Sequence, residues 1–307
     1  MGTIGWTVSR ETYRCAVLVL GAAAVLAGCG GSGEKESSLA VPFAYDASKP
    51  LNLTSRVTSL GSNGTEVRDI SYDGPAGRRL KAYLLSPPGE GRHPAVIFVH
   101  GAVGTRAELL SEAADMTRQG AVALTLEMSY SPSRATPLPP GMAGLRARIG
   151  TEVESVREVR RAVDLLRSLS SVDGDQIGYV GWSAGARIGA IAAGVDHRIR
   201  AFDLIAGGAI PVQDYVRLAP PNMRASIGSL LGRTDPLRYV GHAAPSALLF
   251  QDGRRDEIVP QAALNALARV GSDPKELRWY DTGHAPGAKA WTDSRRWLAD
   301  HLGLTGS

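Results

Sequence analysis

Residues 181–185 read Gly-Trp-Ser-Ala-Gly, a spacing that can set a serine hydroxyl on a sharp turn. If a buried strand ends at the first glycine and a helix starts just past the serine, the chain must reverse within a few residues. The serine is then forced into a sparsely populated backbone conformation. Side chains two residues to either side would clash, and glycine at 181 and 185 relieves both clashes. The hydroxyl of Ser183 projects beside the first free amides of the following helix. The chemistry on offer is nucleophilic attack, for which a serine needs a base to take its proton. Histidine serves because its pKa lies near the working pH. Of the six histidines, His284 stands out, in Tyr-Asp-Thr-Gly-His-Ala-Pro at 280–286. That stretch is expected just past the last strand, at the sheet edge where parallel strands end. His93, His197, His242 and His301 occupy positions with no comparable chemistry. A base of this kind needs a carboxylate to hold its tautomer. Asp252 and Asp256 both follow the penultimate strand, with Glu257 beside the second, and physical reasoning alone does not separate the two aspartates.

These residues work only if a scaffold brings them together. Ala95–Val99, Ala121–Leu126 and Gln176–Val180 are continuous apolar runs of strand length, suited to a parallel sheet covered on both faces. Further strands are expected at Ala201–Ile205, Ser246–Phe250 and Leu277–Tyr280. Glu66–Tyr72 and Arg79–Leu85 form an antiparallel pair joined at Asp73-Gly74. The clearest helix opens at a capping box, Thr151 to Glu154, repeats Val153, Val156, Val163 and Leu166, and fades at Ser170. Asp173-Gly174 then turns into the next strand. The helix after Ser183 is built of small residues that allow close approach to the sheet, and Trp291–Leu302 closes the chain. Alternating strands and helices after an antiparallel start predict an α/β sandwich. Ser129–Gly150, with four prolines, reads as a long loop, and Gly207–Gly241 as an irregular insert with one short helix near Ala225–Leu231. Both are expected to form a lid or rim over the cleft.

The chain of 307 residues is 44% hydrophobic and 21% charged, the composition of an ordinary globular protein. Its formal charge of +4 and pI near 9.2 come from scattered arginines. With no basic run or basic–aromatic stripe, nucleic acid is not an expected partner. Near the N-terminus, Arg10 and Arg14 precede an apolar stretch, Cys15–Ala27, too short to cross a bilayer comfortably. Positive flank, short apolar core and small residues are the layout of a secretory signal peptide. Leu26-Ala27-Gly28-Cys29 resembles a bacterial lipoprotein lipobox, which implies that Cys29 becomes a lipidated N-terminus. The expected division is a signal peptide at 1–28, the lipidated cysteine and a flexible tether at 29–51, and one α/β domain at 52–307. The mature chain would hold one cysteine and no internal disulfide.

Four stretches together resemble the α/β-hydrolase superfamily, in particular its dienelactone-hydrolase-like and prolyl-oligopeptidase-like esterase branches. They are Val99-His100-Gly101-Ala102, Gly181–Gly185, Gly253–Pro260 and Gly283-His284-Ala285. The resemblance implies the α/β-hydrolase fold: a mostly parallel central sheet, helices on both faces and a small lid at about 207–241. Its G-x-x-D-x-x-V-P pattern selects Asp256 as the triad acid. It also makes the backbone N–H groups of Ala102 and Ala184 the donors of an oxyanion hole, with His100 a scaffold residue and not a second base. Trp182 is expected to pack under the nucleophile turn. No metal-ligand spacing, P-loop or strand-linked G-x-G-x-x-G is present, and a Ser–His–Asp mechanism requires no cofactor. The expected activity is hydrolysis of a carboxylic ester of unknown size by an extracytoplasmic enzyme, held to the membrane only by its N-terminal lipid. The alternatives are a serine peptidase or amidase of the same fold and a non-catalytic, envelope-binding lipoprotein.

Overall fold

The computed structural model describes residues 39–60 and 64–304. Its elements in chain order begin with β1 (Thr54–Leu60), β2 (Glu66–Asp73), β3 (Arg79–Ser86) and β4 (His93–Val99). Next come α1 (Leu110–Arg118), β5 (Val122–Leu126), α2 (Gly141–Ser168), β6 (Val172–Trp182), α3 (Ala184–Ala193) and β7 (Ala201–Ile205). The chain continues through α4 (Val212–Leu218), α5 (Arg224–Leu231), α6 (Pro236–Tyr239), β8 (Ala247–Gly253), α7 (Gln261–Val270), β9 (Lys275–Tyr280) and α8 (Ala288–Leu302).

Among the described residues, nine strands lie in the order β1-β2-β3-β5-β4-β6-β7-β8-β9. The β2–β3 hairpin expected at Asp73-Gly74 is present, and β3 also pairs antiparallel with β5. From β5 onward every neighbouring pair is parallel. The reason is visible in β4, whose residues alternate between two cores. Ala95, Ile97 and Val99 face one cluster with residues of α2 and α3, while Val96 and Phe98 face another with α1 and α8. Both faces are dry, so the strand reads as a continuous apolar run.

Several expectations are corrected. Thr151 and Glu154 do not open a helix, because α2 begins ten residues earlier at Gly141. Thr151 instead returns its hydroxyl to Ala147 O at 3.1 Å, inside the helix. All four prolines of Ser129–Gly150 lie at or before Pro140, so they bound the helix rather than extend the loop. Asp173 and Gly174 lie within β6, where its register against β4 shifts, and not in a turn before it. The 207–241 insert carries three short helices, α4, α5 and α6, where one was expected. The strand β1 and the helices α1 and α7 are further elements that the sequence pattern does not mark.

The tether expected at 29–51 is docked over its described part. Phe43 is fully buried and meets Tyr239 edge-on at 5.4 Å, a burial that stabilises by about 2–3 kcal/mol. Three arginines on one face of α2 receive the strap's carbonyls: Arg157 donates to Pro42 O, Arg160 to Phe43 O, and Arg161 to Ala47, Lys49 and Pro50. The polar run before residue 39 reads as a tether, but the apolar Leu39 and Phe43 bind the strap to the core. Residues 1–38, with the expected signal peptide and Cys29, lie outside the described residues.

Candidate active site

Ser183 sits between the end of β6 and the first residue of α3, with φ 56° and ψ −110°. A non-glycine residue pays about 1–3 kcal/mol to hold such a conformation. The turn is held from outside by the Ser183 N–H, which donates to Ile205 O on β7 at 2.8 Å. Both motif glycines are there for space. A Cβ at Gly181 would lie 2.5 Å from Gly185 C, and one at Gly185 would lie 2.3 Å from Val99 O. The strand, the turn and the loop after β4 therefore touch backbone to backbone.

His284 reaches the same edge from the loop after β9, and its Nε2 lies 2.9 Å from Ser183 Oγ. Its Nδ1 lies 2.9 Å from Asp256 Oδ2, in the loop after β8. A carboxylate only accepts, so Nδ1 carries the proton and Nε2 is left to accept from the serine hydroxyl. The two loops are fitted to each other: a Cβ at Gly253 would stand 2.2 Å from Gly283 O. The backbone N–H groups of Arg254 and Arg255 donate to Tyr280 O and Thr282 O.

Asp256 is held at both oxygens. Ile258 and Val259 donate their N–H groups to Oδ1, each at 2.8 Å. Burial pushes its pKa up, but the His284 bond and these two amides outweigh burial and leave it below the ordinary carboxylate value. Asp252 is 3% exposed at the end of β8. Burial and the neighbouring charge of Asp256 push its carboxyl up to about 8. The structure thus separates the two aspartates that physical reasoning on the sequence left open.

The dienelactone hydrolase family model matches residues 80–285, well over half of the chain. The chain belongs to the dienelactone hydrolase family. No curated protein matches the sequence. Among solved structures, an acetyl xylan esterase from Thermoanaerobacterium is 17% identical with a TM-score of 0.73, covering 89% of this chain and 93% of that one. An acetyl xylan esterase from Paenibacillus is 20% identical with a TM-score of 0.71, over 87% and 92% of the two chains. A puromycin-hydrolyzing peptidase of Mycobacterium tuberculosis is 21% identical with a TM-score of 0.65, over 80% of this chain but 41% of the larger one. At these identities the likeness is one of fold, the α/β-hydrolase fold. Family membership makes the protein a hydrolase.

The remaining sequence-derived residues fall around this candidate site. Ala184 is the first residue of α3, where a backbone N–H has no intrahelical acceptor. Ala102 lies in the exposed loop after β4, in a turn closed by the Gly104 N–H on Gly101 O at 3.1 Å. His100 is 1% exposed, and its ring bonds Gly101 O and Ser131 Oγ rather than Ser183 or His284. Trp182 does more than pack: its Nε1 donates to His284 O at 3.2 Å. Sequence reasoning missed that bond, the amide clamp on Asp256, and Glu108, whose Oε2 accepts from the Gly101 N–H at 2.9 Å. An aspartate three residues before a valine-proline pair was a legible sign of the clamp, since Asp bonds amides two and three residues on. Nothing in the spacing of Glu108 marks its role. Among the described residues, no group of three His, Cys, Asp or Glu side chains could hold a metal ion.

Proposed function

We propose that this hydrolase cleaves carboxylic esters through an acyl-enzyme on Ser183. The observation that carries the reading is the continuous chain from Ser183 Oγ through His284 to Asp256, with both links at 2.9 Å. Ser183 attacks the acyl carbonyl as its proton passes to His284 Nε2. The carbonyl oxygen becomes an oxyanion, met by the N–H groups of Ala102 and Ala184. When the C–O bond to the alcohol breaks, His284 returns the proton to the departing oxygen. A water then gives its proton to His284 and its hydroxide to the acyl carbon, which releases the acid and restores Ser183. Asp256 stays ionised throughout and stabilises the imidazolium.

Ester cleavage is preferred over amide cleavage because two of the three neighbours above are named for ester hydrolysis. The puromycin-hydrolyzing peptidase supplies the rival reading. Matched p-nitrophenyl acetate and p-nitroacetanilide separate them. Turnover of the ester with little turnover of the anilide supports an esterase, and the reverse supports an amidase. Retention of ester turnover by Ser183→Ala would remove the serine mechanism altogether.

We also propose that Cys29 carries a lipid and anchors the domain, extracytoplasmically, in a bacterial cell envelope. The Leu26–Cys29 stretch supports this placement. Cys29→Ala is expected to move the full chain from the membrane to the soluble fraction and to abolish incorporation of labelled palmitate. Unchanged membrane association and labelling would contradict the anchor.

A further inference from the structure

The loop after β4 is fixed by its own first residue, His100, and by side chains that lie outside it. His100 is buried, and its Nδ1 stands 2.6 Å from Gly101 O. A carbonyl oxygen only accepts, so Nδ1 carries the proton. The other ring nitrogen, Nε2, lies 2.8 Å from Ser131 Oγ and accepts from that hydroxyl, with the Met128 N–H also facing it at 3.5 Å. Both ring nitrogens are thus committed, in the neutral form with the proton on Nδ1. Burial pushes the pKa of His100 down, in agreement with a neutral ring.

The rest of the segment is pinned as firmly. Tyr130 donates its hydroxyl to His100 O at 2.7 Å, and Glu108 accepts the Gly101 N–H. The segment abuts the nucleophile turn, because a Cβ at Gly185 would stand 2.9 Å from His100 O.

We propose that His100 is a positioning residue that aims the Ala102 N–H at the oxyanion, and that Ser131 keeps it in the tautomer this requires. The peptide joining Gly101 to Ala102 is planar and trans, so its C=O and N–H point in opposite directions. Holding Gly101 O on the imidazole therefore fixes the direction of the Ala102 N–H on the other side of the plane. An oxyanion donor works only within about 2.7–3.1 Å of the developing charge, so a modest swing of this plane removes it from use. The inference rests on the serine-ester-hydrolase reading above and adds the group that directs one of its two oxyanion donors.

The test compares p-nitrophenyl acetate with p-nitrophenyl thionoacetate, whose C=S sulfur is a weak hydrogen-bond acceptor and gains little from such donors. His100→Leu is expected to lower kcat/KM for the oxygen ester by about a hundredfold. The thionoester rate should change by less than about threefold, because the triad is untouched. His100→Asn, which places an N–H near the position of Nδ1, should restore most of the lost rate. Ser131→Ala should show the same selective loss to a smaller degree, and it serves alone if His100→Leu does not fold. Equal slowing of both esters, or no slowing of either, overturns the positioning role and leaves the triad reading standing. A wild-type protein that turns over neither ester overturns the ester-hydrolysis reading itself.

Discussion

The indole Nε1 of Trp182 donates to the backbone carbonyl of His284 at 3.2 Å, so the neighbour of Ser183 holds the loop that carries His284. The two rings stand 5.8 Å apart and tilted, with Trp182 also against Gly101. One side chain on the Ser183 segment therefore touches two others that build the site, the His284 loop and the loop after β4.

Trp182→Phe keeps the aromatic packing and removes the bond. The net value of such a bond is about 1 kcal/mol, so kcat/KM for an acetate ester should fall about fivefold as the His284 loop loosens. Steady-state kinetics at saturating and limiting ester check this. An unchanged kcat/KM would show that packing alone places His284.

The two aspartates of the β8 loop should behave very differently. Asp256→Asn takes the acceptor from His284 Nδ1 and favours the wrong tautomer, with an expected loss in kcat of about 10³–10⁴. Asp252→Asn replaces a carboxyl that is already neutral at pH 7, since burial and Asp256 hold it near 8. Its kcat/KM at pH 7 should stay within about threefold of wild type, with any divergence confined to pH above about 8. Comparable losses at pH 7 from both substitutions would contradict the assignment of the acid.

Asp203 links stability to pH. It is fully buried, accepts Gln251 Nε2 at 2.9 Å at both oxygens, and is bonded to Ser294. Burial pushes its carboxyl up to about 7. The folded state then keeps a proton that the unfolded chain releases between about pH 4 and 7, so this group makes the protein less stable as pH rises through that window. Asp203→Asn removes the titration. Its stability relative to wild type should rise between pH 4.5 and 7 by up to about 3 kcal/mol, at about 1.36 kcal/mol per pH unit. Urea denaturation at both pH values reads this difference, and a pH-independent difference would refute it.

The parts of this molecule that were legible in the sequence are those where one constraint dominates locally. β4 and β5 are apolar on both faces, and the Gly181–Gly185 turn demands glycine where backbones touch. The start of α2 was hidden because Thr151 and Glu154 imitate a cap, while the real boundary is set by Pro140 and by Ile149 entering the core. The strap at 39–50 was hidden because its partners Arg157, Arg160 and Arg161 lie more than a hundred positions away. Within the site, Ser183 and His284 could be read from their own neighbours. The grip of Ser131 and Glu108 on the loop after β4 depends on where β5 and α1 deliver them, which no local pattern encodes.

Activation of Ser183 as a nucleophile by His284 is the proposal on which the rest depends. Its most direct measurement is reaction of the full chain, in detergent, with a fluorophosphonate probe, followed by mass spectrometry of the adduct. A single rapid adduct on Ser183, lost in His284→Ala, is expected. A folded wild-type protein that stays unlabelled, or is labelled elsewhere, would contradict it.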